Sequence, residues 1–469
     1  MYSKANKQNT MSYYKIWAWL FVGWVFSAAD RAITGPIVTW MINHNVSFFN
    51  DVSNPHELGG LIGSLFFAGF MLTQFPGGYI GDKYGNRNTL ILSLIWAGIA
   101  TLFGGIVISL FAFIAFRVIT GLGEGLYYSN DRTILSQITP PEKRSLGMGI
   151  VLIGLPVGVT IAYIAVALLS EVGSNYMGID NGWRIPFVIS GAFTVIVGLC
   201  MRRVFKKEKI ESIKLIPILL GTMKFSIPFF IIIMSIYFFS TSIKLNNNII
   251  AVFEIMIAIL LLIYAFKNFK NKIGTTLKNK NLFLLYLGAF PLLWNLWFFN
   301  FWSADIIQKA SNSSFLIAAL IYAIFNAGAG IIGFPLGGWL ADYTAKKGLG
   351  RKRIYLIFVP LQALSTIIFG LYLIYGNNSI WIMGIMLFIS NLFLNIPQPI
   401  SQALISEISD PEHRGSAFGM WNFIGQMAAV LAPVVSGSII DAVGYWYPAI
   451  FLCSFFMLLN FVCVFFVRE

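Results

Sequence analysis

Four ionisable residues stand inside long apolar runs of this chain: Asp30, Arg31, Arg117 and Glu124. Asp30 and Arg31 lie near the middle of a run over 15–42. Arg117 and Glu124 lie in a run over 111–136, at a spacing that puts them on one helix face about two turns apart. Charge in such surroundings is costly unless it is paired or hydrated, which makes each a functional candidate. An arginine keeps its charge and offers a planar fork of donors that matches a carboxylate. Arg31 and Arg117 are therefore candidates to bind an organic anion. A carboxylate in an apolar cavity holds a proton more readily, and a nearby arginine reverses that. Asp30 and Glu124 are therefore candidate proton carriers, and an anion reaching the arginines would change their proton affinity. The alternative for all four is structural ion pairing between the two runs.

The elements that position these residues follow from composition. Of 469 residues, 57% are hydrophobic and only 11% charged, with a mean hydropathy of +0.76. A soluble protein carries about a quarter charged residues. Apolar runs long enough to span a bilayer recur along the whole sequence, at 15–42, 59–82, 89–108, 111–136, 146–170 and 184–203, and again at 282–305, 315–341, 354–376, 380–406, 416–440 and 447–467. Two more runs lie between these sets, near 225–243 and 249–266, separated by Lys244 and the Asn246–Asn248 turn. The expectation is an all-α integral membrane protein of about 14 spans. The first dozen residues are polar and lead into a full-length run, so no cleavable signal peptide is expected.

The net charge of +13 is placed in alternate loops: Lys83 and Arg87, Lys143 and Arg144, Arg202 to Lys214, Lys267 to Lys280, Lys346 to Arg353, and Arg414. The intervening loops hold acids such as Asp51, Glu57, Glu171 and Asp180. Basic loops stay in the cytoplasm, so this charge sets topology and does not mark a nucleic-acid surface. The two middle runs have basic flanks on both outer sides, which fits a hairpin crossing out and back. Both termini are then cytoplasmic. Glu254 lies inside the second of these runs.

The chain repeats itself. Pro76-Gly77-Gly78-Tyr79-Ile80-Gly81-Asp82 answers Pro335-Leu336-Gly337-Gly338-Trp339-Leu340-Ala341-Asp342, with the Gly-Gly pair and the Asp at an offset of 260. Pro141-Glu142-Lys143-Arg144 answers Pro411-Glu412-His413-Arg414 at 270, and Gly182 to Pro186 answers Gly444 to Pro448 at 262. The same order at nearly one offset indicates a duplicated six-helix unit. We expect an N-terminal bundle over 1–204, basic linkers with a two-helix insert over 205–280, and a C-terminal bundle over 281–469. Parallel repeats of this kind suit a rocking machine with its site between them.

Gly78, Asp82, Gly85 and Arg87 sit where the second run ends in a tight basic turn, and Gly338 and Asp342 occupy the matching place in the second copy, which extends to Arg351. The glycines allow close helix contact. Asp82 can cap a neighbouring helix or pair with basic groups, and so latch one conformation. This loop resembles the loop motif of the major facilitator superfamily, which implies two six-helix bundles and a transport function. Asp30-Arg31, together with Arg117-x-x-x-Gly121-x-x-Glu124-Gly125, resembles the anion:cation symporter branch of that superfamily. The resemblance implies proton-coupled uptake of an organic anion such as a sugar acid, with Asp30 and Glu124 as protonation sites and Arg31 and Arg117 as anion and coupling arginines. Ala28 and Phe70 stand where that branch often has hydrogen-bonding aromatic residues.

The second copy lacks such a charge cluster. It offers Asn295, Asn300, Asn326, Asn391, Asn395, Gln398, Asn422 and Gln426, of which Asn391 and Asn295 are the chosen candidates for a hydroxylated substrate. The alternative is glue between helices. Trp297, with Trp294 and Trp302, could stack on a ligand or face lipid. The three histidines and three cysteines show no metal or nucleophile spacing, so neither an enzyme, a metal nor a cofactor is expected. The expected partners are a small anion, protons (or Na+) and the lipid bilayer, with the chain acting as a monomer in a plasma or inner membrane. The competing readings are a 14-span drug:proton antiporter, to which Leu155-Pro156 between Gly154 and Gly158 bears a partial likeness, and a transporter of a neutral solute or peptide.

Overall fold

The computed structural model describes residues 13–49, 55–206, 215–243, 278–313 and 315–468, with scattered positions between 249 and 263. Among them there are helices and no strands. Thirteen spans are long and apolar enough to cross a membrane. The second middle run, 249–266, lies partly outside the described residues, and Glu254 is one of those outside.

In the first copy the helices are α1 (Tyr13–Ala32) and α2 (Thr34–Asn43), α3 (Pro55–Tyr84), α4 (Asn86–Gly104), α5 (Leu110–Glu124) and α6 (Tyr127–Ile138), α7 (Arg144–Leu152) and α8 (Gly154–Met177), and α9 (Arg184–Lys206). Then comes α10 (Leu215–Ser242). The second copy has α11 (Lys280–Ser311), α12 (Phe315–Lys346), α13 (Lys352–Tyr375), α14 (Ile380–Asn395) and α15 (Pro397–Ile408), α16 (Arg414–Val443) and α17 (Tyr447–Phe465).

Several expected spans are broken once. The break before α2 is followed by Pro36, that before α8 by Pro156, and that at α15 by Pro397 and Pro399. Proline lacks the amide that would close the preceding turn, so each run is kinked and not ended. The α5/α6 break instead falls at Gly125-Leu126, in a glycine-rich stretch. The middle helix starts at Leu215, ahead of the expected 225. Lys224 does not end it, because its side chain is exposed on the helix surface.

Within the first copy α4 packs on α9, α1 on α8 and α3 on α5; within the second, α11 packs on α16, α13 on α17 and α12 on α14. Between copies the main contacts are α3 with α16 and α12 with α7 and α8. The second span of each copy thus lies on the fifth span of the other, as a two-fold duplication demands. The extra helix α10 leans on α3, α4 and α5, where Ile80, Leu92 and Ile218 form a small cluster with Tyr79, Tyr84 and Leu215 around it.

The α3–α5 contact sets the position of the buried charges. A Cβ on Gly121 would lie 2.2 Å from the carbonyl oxygen of Phe66. Only glycine lets α5 come this close to α3, and the approach brings Arg117 over the Phe66 ring. Gly121→Val is expected to lower the melting temperature in detergent, because overpacking of this kind costs about 1–3 kcal/mol. Gly35→Ala, whose added carbon meets nothing within 4 Å, is the control. Equal melting temperatures for the two variants would disprove the packing account.

Candidate functional site

The structure joins α1 to α5 through the four charged residues. All are buried. Arg31 Nε donates to Glu124 Oε2 at 3.2 Å. Ser27, one turn before Arg31, donates to the same oxygen at 3.4 Å and accepts from Arg31 Nη2 at 3.4 Å. The Arg31 guanidinium lies 4.2 Å above the Phe70 ring. Arg117 Nη2 donates to the backbone carbonyl of Asp30 at 3.2 Å. Its guanidinium is 4.5 Å from the Phe66 ring and 5.5 Å from that of Phe187. The Asp30 carboxylate accepts from Ser190 of α9. α1, α3, α5 and α9 therefore hold one continuous cluster.

The pairing is incomplete. Asp30 Oδ2, Glu124 Oε1, and Arg117 Nε and Nη1 are buried with no hydrogen-bond partner among the described residues. Buried charges normally use most of their hydrogen-bonding capacity. Each arginine also rests on an aromatic face, which attracts a cation without using any of its N–H donors. The aromatic rings hold the guanidinium groups in place and leave donors for another acceptor.

The structure adds a second buried pair, which is absent from the sequence-derived candidates. Asp131 and Arg132 on α6 are wholly buried. Arg132 Nε donates to Asp131 Oδ2 at 2.8 Å, and its Nη2 makes a close contact with the same oxygen. Trp24 Nε1 of α1 donates there too, at 2.6 Å. These residues lie near the end of the expected span, where charge is ordinary, so their place in the run does not single them out. The available signal is periodic: Arg117, Glu124 and Asp131 recur every seven residues along α5 and α6.

The polar residues of the second copy divide into two groups. Asn295 is engaged: its Nδ2 donates to the carbonyls of Pro291 at 3.1 Å and Cys453 at 3.0 Å, and its Oδ1 accepts from Gln362 at 3.2 Å. It ties α11 to α17 and α13. Asn300 likewise accepts from Tyr322 at 2.7 Å. By contrast Asn391 Nδ2, Asn422 Nδ2, Gln426 Oε1 and Trp297 Nε1 are buried without a partner among the described residues. Trp297 packs edge-on against Phe67 of α3, at 4.5 Å between ring centroids, so it sits where the copies meet. Trp302 donates to the Pro433 carbonyl at 3.1 Å.

The repeated loop motifs form two matching latches at the basic-loop end. Asp82 Oδ1 accepts from the amide of Gly415 at 3.2 Å, and its Oδ2 from the amide and hydroxyl of Ser416 at 3.0 and 2.9 Å. Asp342 accepts from the amides of Ser145 at 3.4 Å and Leu146 at 2.9 Å. Each aspartate therefore caps the first turn of a helix in the opposite copy, α16 or α7. Those first turns hold unsatisfied amides and the positive end of the helix dipole. The Pro141 and Pro411 repeats supply the short turns that aim the amides. Gly78 and Gly338 make room: a Cβ there would lie 2.2 Å from the Gly415 oxygen and 2.3 Å from that of Ser145. Arg351 strengthens the second latch, bonding Asp342 at 3.0 Å, Ser145 Oγ at 2.9 Å and the Pro141 carbonyl at 2.6 Å, with Glu407 also in contact. Gly85 turns the chain at a φ of 103° before α4, and the Arg87 guanidinium lies 5.5 Å from the Phe205 ring.

These features have parallels in known proteins. A sequence profile of the Major Facilitator Superfamily matches residues 20–277 and 285–469. The chain is 24% identical over 390 residues to the D-galactonate transporter of Escherichia coli O6:H1, covering 82% of this chain and 81% of that one. It is 23% identical over 406 residues to the hexuronate transporter of Bacillus subtilis, covering 84% and 82%. The fold matches a solved proton:xylose symporter with a TM-score of 0.70 at 16% identity, over 97% of this chain and 96% of that one. The human organic anion transporter MFSD10 matches with a TM-score of 0.64 at 14% identity, over 97% and 100%. The expected resemblance to transporters of sugar acids is thus carried by relatives that span most of the sequence. This multi-pass membrane chain belongs to the Major Facilitator Superfamily, a family of transporters and not of enzymes.

Proposed function

We propose that this chain imports a small organic anion, such as a sugar acid or another carboxylate, together with a proton across the cell membrane. The observation that carries the reading is the buried cluster in which Arg31 is bonded to Glu124 and Arg117 lies against Asp30 with two donors unpartnered among the described residues. The relatives that move galactonate and hexuronate agree with it in substrate chemistry.

The charge balance supplies the coupling. Asp30 and Glu124 oppose Arg31 and Arg117, so the cluster by itself is neutral with its acids ionised. A monoanion would leave the cluster one charge negative, and an unbalanced charge in this setting is unfavourable. One proton restores neutrality. The substrate carboxylate competes with Glu124 for Arg31. A carboxylate that loses its arginine in apolar surroundings takes a proton, so anion and proton binding help each other. Asp30, held by Ser190 and beside Arg117, is the second protonation site. Arg31 and Arg117 hold the carboxylate, and Asn391, Asn422 and Gln426 offer hydrogen bonds to the rest of the substrate. Phe70 places an apolar ring beneath Arg31, and so restricts hydroxyls on that side.

The basic loops support the reading that both termini and the two aspartate latches are cytoplasmic. With the latches made, the cytoplasmic side is closed. Transport then requires them to break as the two copies rock about the site.

Two measurements test this reading. In proteoliposomes, an imposed inward proton gradient should drive uptake of at least one carboxylate from a panel of sugar acids and simple acids. Glu124→Gln should abolish proton-driven accumulation while preserving counterflow exchange. Equal loss of both would make Glu124 a structural residue. The latches make a separate prediction. Removing a helix cap costs about 0.5–2 kcal/mol, so Asp82→Ala and Asp342→Ala should both lengthen spin-label distances between the copies at the cytoplasmic end. Asp342→Ala should do so more, since Asp342 also holds Arg351. The reverse order would rule out the latch assignment.

A further inference from the structure

The Asp131–Arg132 pair lies outside the anion cluster just described, yet it reaches both that cluster and the opposite copy. Arg132 Nη1 donates to Gln402 Oε1 of α15 at 3.0 Å and to the Met148 carbonyl of α7 at 3.2 Å. Gln402 Nε2 returns a bond to Tyr128 Oη of α6 at 2.9 Å. The Tyr128 ring lies stacked on Trp421 of α16, with centroids 5.7 Å apart and planes 12° apart. Arg132, Gln402, Tyr128 and Trp421 are essentially inaccessible to solvent. A closed polar ring thus crosses between the two copies inside the protein, separate from the two aspartate latches at the basic-loop end.

The ring is tied to the anion cluster through Trp24. That indole donates to Asp131, and its ring lies 5.6 Å from the Arg132 guanidinium and 5.7 Å from that of Arg31. Arg31 and Arg132 therefore share one aromatic partner. The heptad spacing of Glu124 and Asp131 puts the two carboxylates on one face of the kinked span. Asp131 Oδ1 has no partner among the described residues, so the pair is under-bonded even while the ring is closed.

We propose that Arg132 and Gln402 are positioning residues for transport: they form an inner cross-copy latch that must break before the cytoplasmic side opens, and Trp24 links it to the anion site. Gln402 supplies the only uncharged acceptor side chain from the second copy that bonds Arg132 among the described residues. When α15 withdraws, Arg132 keeps Asp131 but loses this acceptor. A hydrogen bond to a buried charge contributes far more than an ordinary one, so its loss sets part of the opening barrier. A carboxylate leaving Arg31 on the cytoplasmic side would then meet the Arg132 donors that Gln402 had occupied.

The test exploits the sign of the change. Gln402→Glu keeps the shape and sets a full negative charge against Arg132; its second oxygen accepts from the Tyr128 hydroxyl where Gln402 Nε2 had donated to it. Gln402→Leu removes the acceptor. Spin labels at Glu142→Cys and Glu412→Cys, exposed equivalents on the two copies, report the cytoplasmic opening in full-length protein whose three native cysteines are replaced. Gln402→Leu should raise the open:closed ratio roughly tenfold, as expected for loss of a charge-assisted bond, and Gln402→Glu should lower it. Counterflow by Gln402→Glu should slow at unchanged substrate KM. Shifts of both variants in the same direction, or no shift in either, would overturn the proposal. If Gln402→Leu does not fold, Gln402→Glu decides alone: failure to close further refutes the latch. The distance readout needs no substrate. Opposite distance shifts in a protein that takes up no carboxylate would therefore leave the latch standing and remove the anion reading on which its role in transport rests.

Discussion

An arginine cannot shed its charge inside a bilayer, and the first copy of this protein buries Arg31, Arg117 and Arg132 within its spans. The rest of the architecture answers that constraint. Each guanidinium is set beside an acid or a backbone carbonyl, and each rests on an aromatic face: Arg31 on Phe70, Arg117 on Phe66, Arg132 beside Trp24. The aromatic residues explain why the hydrogen bonds are so few. They stabilise the cations without consuming their donors, so the cluster can be neutral and ordered while retaining capacity for one more anion. A cluster satisfied completely by its own side chains would be more stable and would bind nothing.

The two copies have diverged in chemistry but not in mechanics. The latches show the shared part. Asp82 and Asp342 occupy equivalent places, each caps a helix of the other copy, and each is admitted by a glycine at the same offset. The charge cluster shows the divergent part, since the matching helices of the second copy carry asparagine, glutamine and tryptophan. Among those, the hydrogen-bonded Asn295 and Asn300 build the bundle, whereas Asn391, Asn422 and Gln426 keep buried atoms unpartnered among the described residues. One copy thus provides the charge and the other provides neutral hydrogen-bonding groups.

Much of this can be read in the sequence because membrane proteins write their fold in long apolar runs and repeated turns. The spans, the duplication and the four charges are legible for that reason. The face shared by Arg117 and Glu124 follows from helix geometry alone. What stays hidden depends on contacts between distant helices. Nothing local distinguishes Ser190 from other hydroxyls until α9 lies against Asp30. Asn295 and Asn391 look alike until the structure shows one bonded to α17 and the other with an unused donor. Asp131 and Arg132 do not stand out because charge near a span end is common, although their place in the seven-residue series is visible. The start of α10 is hard to place because a lysine resembles a boundary, when its side chain only needs to reach the helix surface.

The middle helix α10 leans on α3, α4 and α5, and its principal contacts are all with the first copy. It therefore travels with that copy as ballast. The first copy therefore presents a wider cross-section to the lipid.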